Sequence, residues 1–253
     1  MSSSSADTIL ETQGLTKEFG NLVAVDDVDF TIERGSTVGL IGPNGAGKTT
    51  FQSLLSGEHA ATDGSILFEG DEITGTDPYR RARMGIIKKF QVTRVYGSES
   101  ILENMRMAMR GRLSSTWELL RSHDDSALDD RIHELLDVAN LRHKKHENAE
   151  NLSHGEQQWL EIVMAVSTDP KLLLLDEPTS GMGPQETNET VGLLRTIKEE
   201  TETTLLVVEH DMDFIQKVSN NLTVLHHGEI LAQGTVEDIQ NNDKVQEVYL
   251  GRE

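Results

Sequence analysis

Polar and apolar positions alternate along residues 8–34, the period-two pattern of half-buried strands, with a reversal at Gly20-Asn21. Residues 37–41, TVGLI, form a short apolar run that meets Gly42, and a helix is expected to begin near Lys48. Residues 64–70 read as another short strand. From about 98 to 146 the period lengthens: ILENMRMAMRG and DDRIHELLDVANL space their apolar residues three and four apart, as amphipathic helices do. Within that stretch Met105, Met107 and Met109 read as gap-filling core rather than as a binding surface. KLLLL at 171–175 and TTLLVV at 203–208 are continuous apolar runs, the mark of strands covered on both faces, with a helix at 185–200 between them. Strand, helix and strand in that order predict a parallel sheet. TVLHHGEILAQG reads as a hairpin turning at His227-Gly228, with His226 and His227 as exposed strand-end residues. No internal repeat or linker divides the chain.

The 253 residues suit one large domain or two small ones and are enough to bury a core. Acidic residues outnumber basic ones, 43 to 23, for a net charge of −20. Such a chain repels phosphate backbones, so no nucleic-acid partner is expected. The same excess suits a halophilic cytoplasm, where salt screens self-repulsion; an ordinary acidic surface is the duller reading. The absence of cysteine removes disulfides, thiolate metal sites and thiol catalysis together. MSSSSAD lacks the apolar core of a signal peptide and reads as a loose tail. No apolar run approaches the roughly 18 residues that span a bilayer, so no direct bilayer insertion is expected and any membrane association runs through a partner.

Four motifs carry chemistry. GPNGAGKT at 42–49 fits the phosphate-loop pattern after a strand and before a helix. Gly42, Pro43, Asn44, Gly45, Ala46 and Gly47 would wrap backbone amides around phosphate oxygens. Lys48 would reach the β- and γ-phosphates, and Thr49, followed by Thr50, would offer a hydroxyl to Mg²⁺. LLLLDE at 172–177 ends a buried strand in two carboxylates: Asp176 can hold Mg²⁺ and Glu177 can polarise an attacking water. His210 ends a third strand. A lone histidine is ordinarily structural, but convergence of these strand ends favours a γ-phosphate contact. The last motif is NLSHGEQQWLEI at 151–162. Ser153 and Glu156 form a capping box, which leaves His154-Gly155, poor helix formers, unexplained. Glycine in a first turn lets a phosphate approach bare amides. One triphosphate needs one cradle, so this helix end is expected to serve a nucleotide held by another chain.

Over nearly its whole length the chain resembles the ATP-hydrolysing subunit of ABC transporters, through Phe19, GPNGAGKTT, Gln91, LSHGE, LLLLDEP and His210 in that order. The resemblance implies an α/β fold: a RecA-like P-loop NTPase core with a parallel sheet, an antiparallel β subdomain and an inserted α-helical subdomain. It places core and β subdomain in 1–91 and 160–253, and the helical subdomain with the signature in 92–159. It implies ATP and Mg²⁺ as cofactors, Phe19 stacked on adenine, and Gln91 sensing Mg²⁺ and water. Glu177 is then the general base, with His210 as its positioning partner. Two cassettes pair head to tail, as a homodimer or heterodimer, so that Ser153, Gly155 and Glu156 close over the partner's ATP. Further partners are transmembrane permease subunits and, indirectly, a solute-binding protein, at the cytoplasmic face of the cell membrane. Two positions depart from the family: Leu-Ser-Gly-Gly-Gln is Leu152-Ser153-His154-Gly155-Glu156 here, and a loop that commonly ends in Asp is Ser180-Gly181-Met182-Gly183. The nearest likeness is to cassettes importing urea, short amides or branched-chain amino acids, the urea type foremost. A soluble ABC ATPase of the iron–sulfur assembly type is the alternative.

Overall fold

The computed structural model describes residues 8–89, 95–112 and 125–250. The alternating segment folds as an antiparallel hairpin of β1 (Thr8–Phe19) and β2 (Leu22–Glu33), Phe19 facing Leu22 across the Gly20-Asn21 turn. β4 (Asp63–Phe68) and β5 (Asp71–Glu72) complete a four-stranded sheet in the order β2-β1-β4-β5. β4 stops at Phe68 rather than at residue 70 because Glu69 and Gly70, with φ of 53° and 86°, make the turn into β5.

The second sheet has six strands, ordered β10-β9-β3-β8-β7-β6. They are β3 (Thr37–Ile41), β6 (Ile86–Lys88), β7 (Leu172–Asp176), β8 (Thr204–Val208), β9 (Asn221–His226) and β10 (Glu229–Thr235). All neighbours are parallel except β9 and β10, the hairpin at His227-Gly228. The unbroken apolar runs follow from burial on both faces. Leu172, Leu174, Leu206 and Val208 pack toward α1 (Lys48–Ser56) and the antiparallel sheet; Leu173, Leu175, Leu205 and Val207 pack toward the other helices. Each such side chain is worth about 1.5–3 kcal/mol of burial on either face, so neither parity tolerates a polar residue.

The opposite face is covered by α5 (His154–Val166), α6 (Pro184–Glu200) and α7 (Met212–Val218), and α3 (Ile101–Arg112) and α4 (Asp125–Val138) pack on α5. α5 runs unbroken across residues 159 and 160, and its buried residues join the helices and the sheet in one core. The methionine expectation holds in part: Met105 is fully buried and Met109 packs on the core, but Met107 is 37% exposed. α2 (Pro78–Met84) brings a buried Arg81 to the end of α1, where its guanidinium donates to the carbonyls of Leu54, Leu55, Ile73, Thr74 and Thr76. Burial lowers its pKa to about 10. The chain closes with α8 (Val236–Gln240) and α9 (Asp243–Leu250).

Candidate functional site

Register brings three strand ends together. Val208 of β8 lies opposite Leu40 of β3 on one side and Asp176 of β7 on the other, so the loop after β3, the Asp176-Glu177 pair and the Glu209-His210 pair leave the sheet at one edge. That edge is where open parallel sheets place their ligands.

The loop at 42–47 is enclosed from outside. A Cβ on Gly42 would sit 2.2 Å from Leu225 O, and one on Gly47 2.3 Å from Ala24 O. Gly47 also caps α1 at φ 100°, without any side-chain cap. Phe51 is the first residue of α1 to find a carbonyl one turn back, bonding Gly47 O at 2.8 Å, so the amides before it face outward from the helix start. A cavity of about 520 Å³ opens there, lined by Asn44–Thr50 of the loop, Leu22–Ala24 of β2, Glu177 and His227. The buried Lys48 ammonium donates to Gly42 O at 2.6 Å and Pro43 O at 3.1 Å. Burial pulls its pKa down, against the opposing pull of Glu177, Asp176 and Glu209.

Asp176 is pushed above the ordinary carboxylate range, chiefly by burial and partly offset by Lys88 and Lys48. Glu177 takes φ 44°, a left-handed conformation that side chains rarely adopt, while its amide bonds Val208 O at 2.9 Å. Such strain at a strand end is typical of functional positions. His210 Nδ1 stands 3.6 Å from Glu177 Oε1 and 3.6 Å from Glu209 Oε2. Glu209, absent from the sequence-level candidates, is 1% exposed and accepts from the amide and hydroxyl of Thr179 and from the amide of His210. The rule that singled out His210 reaches it too, since it also follows a covered strand. His227, read as an exposed strand-end residue, is exposed but also lines the cavity.

A chelating cage is not what this edge offers: no group of three or more His, Asp or Glu able to hold a metal occurs among the described residues. Thr49 and Asp176 supply hard oxygen donors of the kind Mg²⁺ takes when phosphates and water complete its shell. Outward-facing amides, one buried ammonium and oxygen donors together fit a metal-bound triphosphate.

Other predicted residues lie apart. Phe19 is 43% exposed, with Lys17 Nζ 4.9 Å from its ring centre and His59 packed edge-on at 5.4 Å; Leu22–Ala24, not Phe19, line the cavity. Gln91 falls outside the described residues. Ser153, Gly155 and Glu156 do not line the cavity. They start α5 as the capping box foreseen, Ser153 Oγ accepting from Glu156 N at 3.2 Å and Glu156 Oε2 from Ser153 N at 3.0 Å. Lys144 pairs with Glu156 at 2.7 Å. Burial works against the Glu156 charge, but Lys144 and the Ser153 amide outweigh it and hold the carboxyl below its usual value. Gly155 also has a reason within its own chain: a Cβ there would meet Glu186 Oε1 at 2.6 Å.

Residues 25–180 match the sequence profile described as ABC transporter. The chain belongs to the ABC transporter ATP-binding family. It is an ATP-binding cassette, an ATP hydrolase coupled to transport. Its last residues, 229–253, match the profile of the branched-chain amino acid ATP-binding cassette transporter. The cassette is 36% identical to BraF of Pseudomonas aeruginosa, a high-affinity branched-chain amino acid transport ATP-binding protein, over 96% of this chain and 98% of that one. LivG of Escherichia coli, which carries the same description, matches to the same extent. A solved ATP-binding cassette of an ABC transporter in its ADP conformation superposes with a TM-score of 0.83 at 27% identity, covering 97% of this chain and 99% of that one. No described helix of this cassette is long and apolar enough to cross a membrane.

Proposed function

We propose that this cassette powers an importer of branched-chain amino acids, working as one of two cassettes paired head to tail beneath permease subunits at the cytoplasmic face of the membrane. The observation that carries the pairing is the separation of two helix starts. One lies in the cavity with Lys48 and Glu177; the other, at Ser153–Glu156, does not reach that cavity. Its remaining first-turn amides, those of His154 and Gly155, are suited to the γ-phosphate of a nucleotide on the partner's loop.

Within the cassette, residues 42–47 and the amides of Lys48–Thr50 hold the phosphates, with Lys48 as counter-charge. Thr49 and Asp176 would hold Mg²⁺, which would supply charge neutralisation to the triphosphate, and Gln91 would sense it together with the attacking water. Phe19 stacks on the adenine, supported by its half-exposed ring on the hairpin that also carries Leu22–Ala24 into the cavity wall. Glu177 takes a proton from the attacking water as general base, and His210 holds that carboxylate and the γ-phosphate in register. Residues 92–159 act as the helical subdomain that meets the permeases. A solute-binding protein delivers cargo to those permeases without touching the cassette. The net charge of −20 supports a halophilic setting.

The relatives' names and the match at 229–253 support branched-chain amino acids as cargo. The test is ATP-driven uptake in vesicles carrying the cassette with the permeases that co-purify in detergent. Leucine uptake that stops with the Glu177→Gln cassette is the expected result. Uptake of urea or acetamide instead would reassign the cargo, and recovery with soluble scaffold proteins alone would favour the iron–sulfur assembly type.

A further inference from the structure

The signature departs from its family's pattern at His154 and Glu156, and the loop after Glu177 departs in Ser180-Gly181-Met182-Gly183, which lacks the common final Asp. The two departures touch. His154 Nε2 donates to Ser180 O at 3.0 Å, and the Gly181 position at φ 76° leaves a Cβ only 3.2 Å from the same nitrogen. The other end of the loop is held from the sheet. The buried Glu209 accepts from Thr179 N at 3.2 Å and Thr179 Oγ1 at 2.6 Å, and its second oxygen accepts from His210 N at 3.2 Å. Between these ends the loop is tightly turned, Ser180 N bonding Glu177 O at 3.0 Å and Met182 N bonding Thr179 O at 3.1 Å. Thr190 meets Met182 Sδ and accepts from Trp159 Nε1 of α5, a second attachment to the same helix.

We propose that His154 and Glu209 are positioning residues that clamp the loop at 178–183 from its two sides, so that the start of α5 and the Glu177–His210 pair move as one body. This rests on the head-to-tail reading above, because only then do the two clamped groups serve different nucleotides. The physical basis is the number of constraints. A buried carboxylate with three donors cannot leave Thr179 without stranding its charge, since unpaired buried charges are strongly disfavoured. With Thr179 fixed and the turn closed, the Ser180 carbonyl has one direction, and His154 takes it. The imidazole thus supplies a link that a glycine signature lacks. A shift of the α5 start on closing over the partner's nucleotide is then carried through Ser180 and Thr179 to Glu209 and the His210 amide.

The test is a double-mutant cycle on the full cassette purified with its partners, using His154→Ala and Thr179→Val, the latter removing one donor while keeping shape. Each is expected to lower kcat by about threefold or more with the ATP dissociation constant near wild type; the thermal midpoint should stay near wild type in His154→Ala and fall in Thr179→Val, which strips a donor from the buried Glu209. The Hill coefficient for ATP should fall toward 1. The double variant should be little worse than either single one, because both break the same tie, whereas independent sites multiply. His154→Gln, which restores an N–H at similar reach, should recover most of the loss. Wild-type kcat and Hill coefficient in His154→Ala, or singles that multiply in the double, would overturn the clamp. ATP-dependent dimerisation of the Glu177→Gln cassette, followed by light scattering, separates the two readings. Dimers with an inert His154→Ala reject the clamp alone. No dimers, with turnover still lost in a coupled way, reject the pairing and leave the clamp as a device within one chain.

Discussion

The helix starts at α1 and α5 of this cassette are built differently. At α1 the cap is Gly47, no side chain bonds an amide, and neighbouring backbone presses so closely on Gly42 and Gly47 that only glycine fits. At α5 the cap is Ser153, and its box with Glu156 takes up one amide of the first turn and adds a link to Lys144. The first start is closed by backbone and opens onto a cavity lined also by Lys48 and Glu177; the second is steadied by side chains and does not line that cavity. A helix end that binds its ligand within one chain can leave its amides bare, because the surrounding loop holds it in shape. One that must meet a ligand brought by another molecule needs its own cap to persist between encounters.

The largest expected effect lies at the first start. Glu177→Gln should leave ATP affinity intact and reduce turnover about 10²- to 10⁴-fold, the span of general-base catalysis, measured by phosphate release beside calorimetry. Next comes a matched pair of alanines. Gly47→Ala drives a Cβ into the Ala24 carbonyl and requires a left-handed alanine, so nucleotide binding should be lost together with stability. Gly155→Ala meets the Glu186 carboxylate, a side chain that can shift by loosening its bond from Gly183 N, so the thermal midpoint should fall by less than in Gly47→Ala while turnover of the assembled unit falls. Equal destabilisation by both alanines would erase the distinction between the two starts.

Smaller effects sharpen it. Ser153→Ala removes a cap and should cost about 1 kcal/mol in denaturant unfolding, without altering ATP affinity of the isolated cassette. The pH dependence is smaller still. Glu156 is held below its unfolded value, so it binds fewer protons when folded; its contribution is fully present above about 4.5 and fades as pH falls through the lower folded value. Glu156→Gln should therefore remove part of the acid-side loss of stability, read from unfolding midpoints between pH 3 and 6 (roughly the carboxylate range).

Much of the first start was legible in the chain, because a glycine loop between a covered strand and a helix has few other uses and its spacing survives in the structure unchanged. The parallel sheet was legible for a similar reason: LLLL and LLVV demand cover on both faces. The second start was legible as a capping box, but the packing of its glycine against Glu186 was not, since that contact joins α5 to α6 across 31 residues of sequence. Glu209 and Arg81 were illegible as buried charges because their partners are mostly backbone groups, which leave no pattern in side-chain types. Phe19 differs again: its place in the motif order was plain, while the residues that line the cavity, Leu22–Ala24, lie across the turn from it.

The central claim, that the α5 start completes a nucleotide site on a different molecule, is tested most directly by complementation. One cassette position of the purified unit carries Lys48→Ala, which spoils its phosphate loop, and the other carries Gly155→Asp, which spoils its signature. Each variant paired with itself should be inactive. The mixed pair retains one intact loop facing one intact signature and should recover a substantial share of ATP turnover. A mixed unit no more active than either parent would show that both helix starts act within a single chain, and would contradict the account.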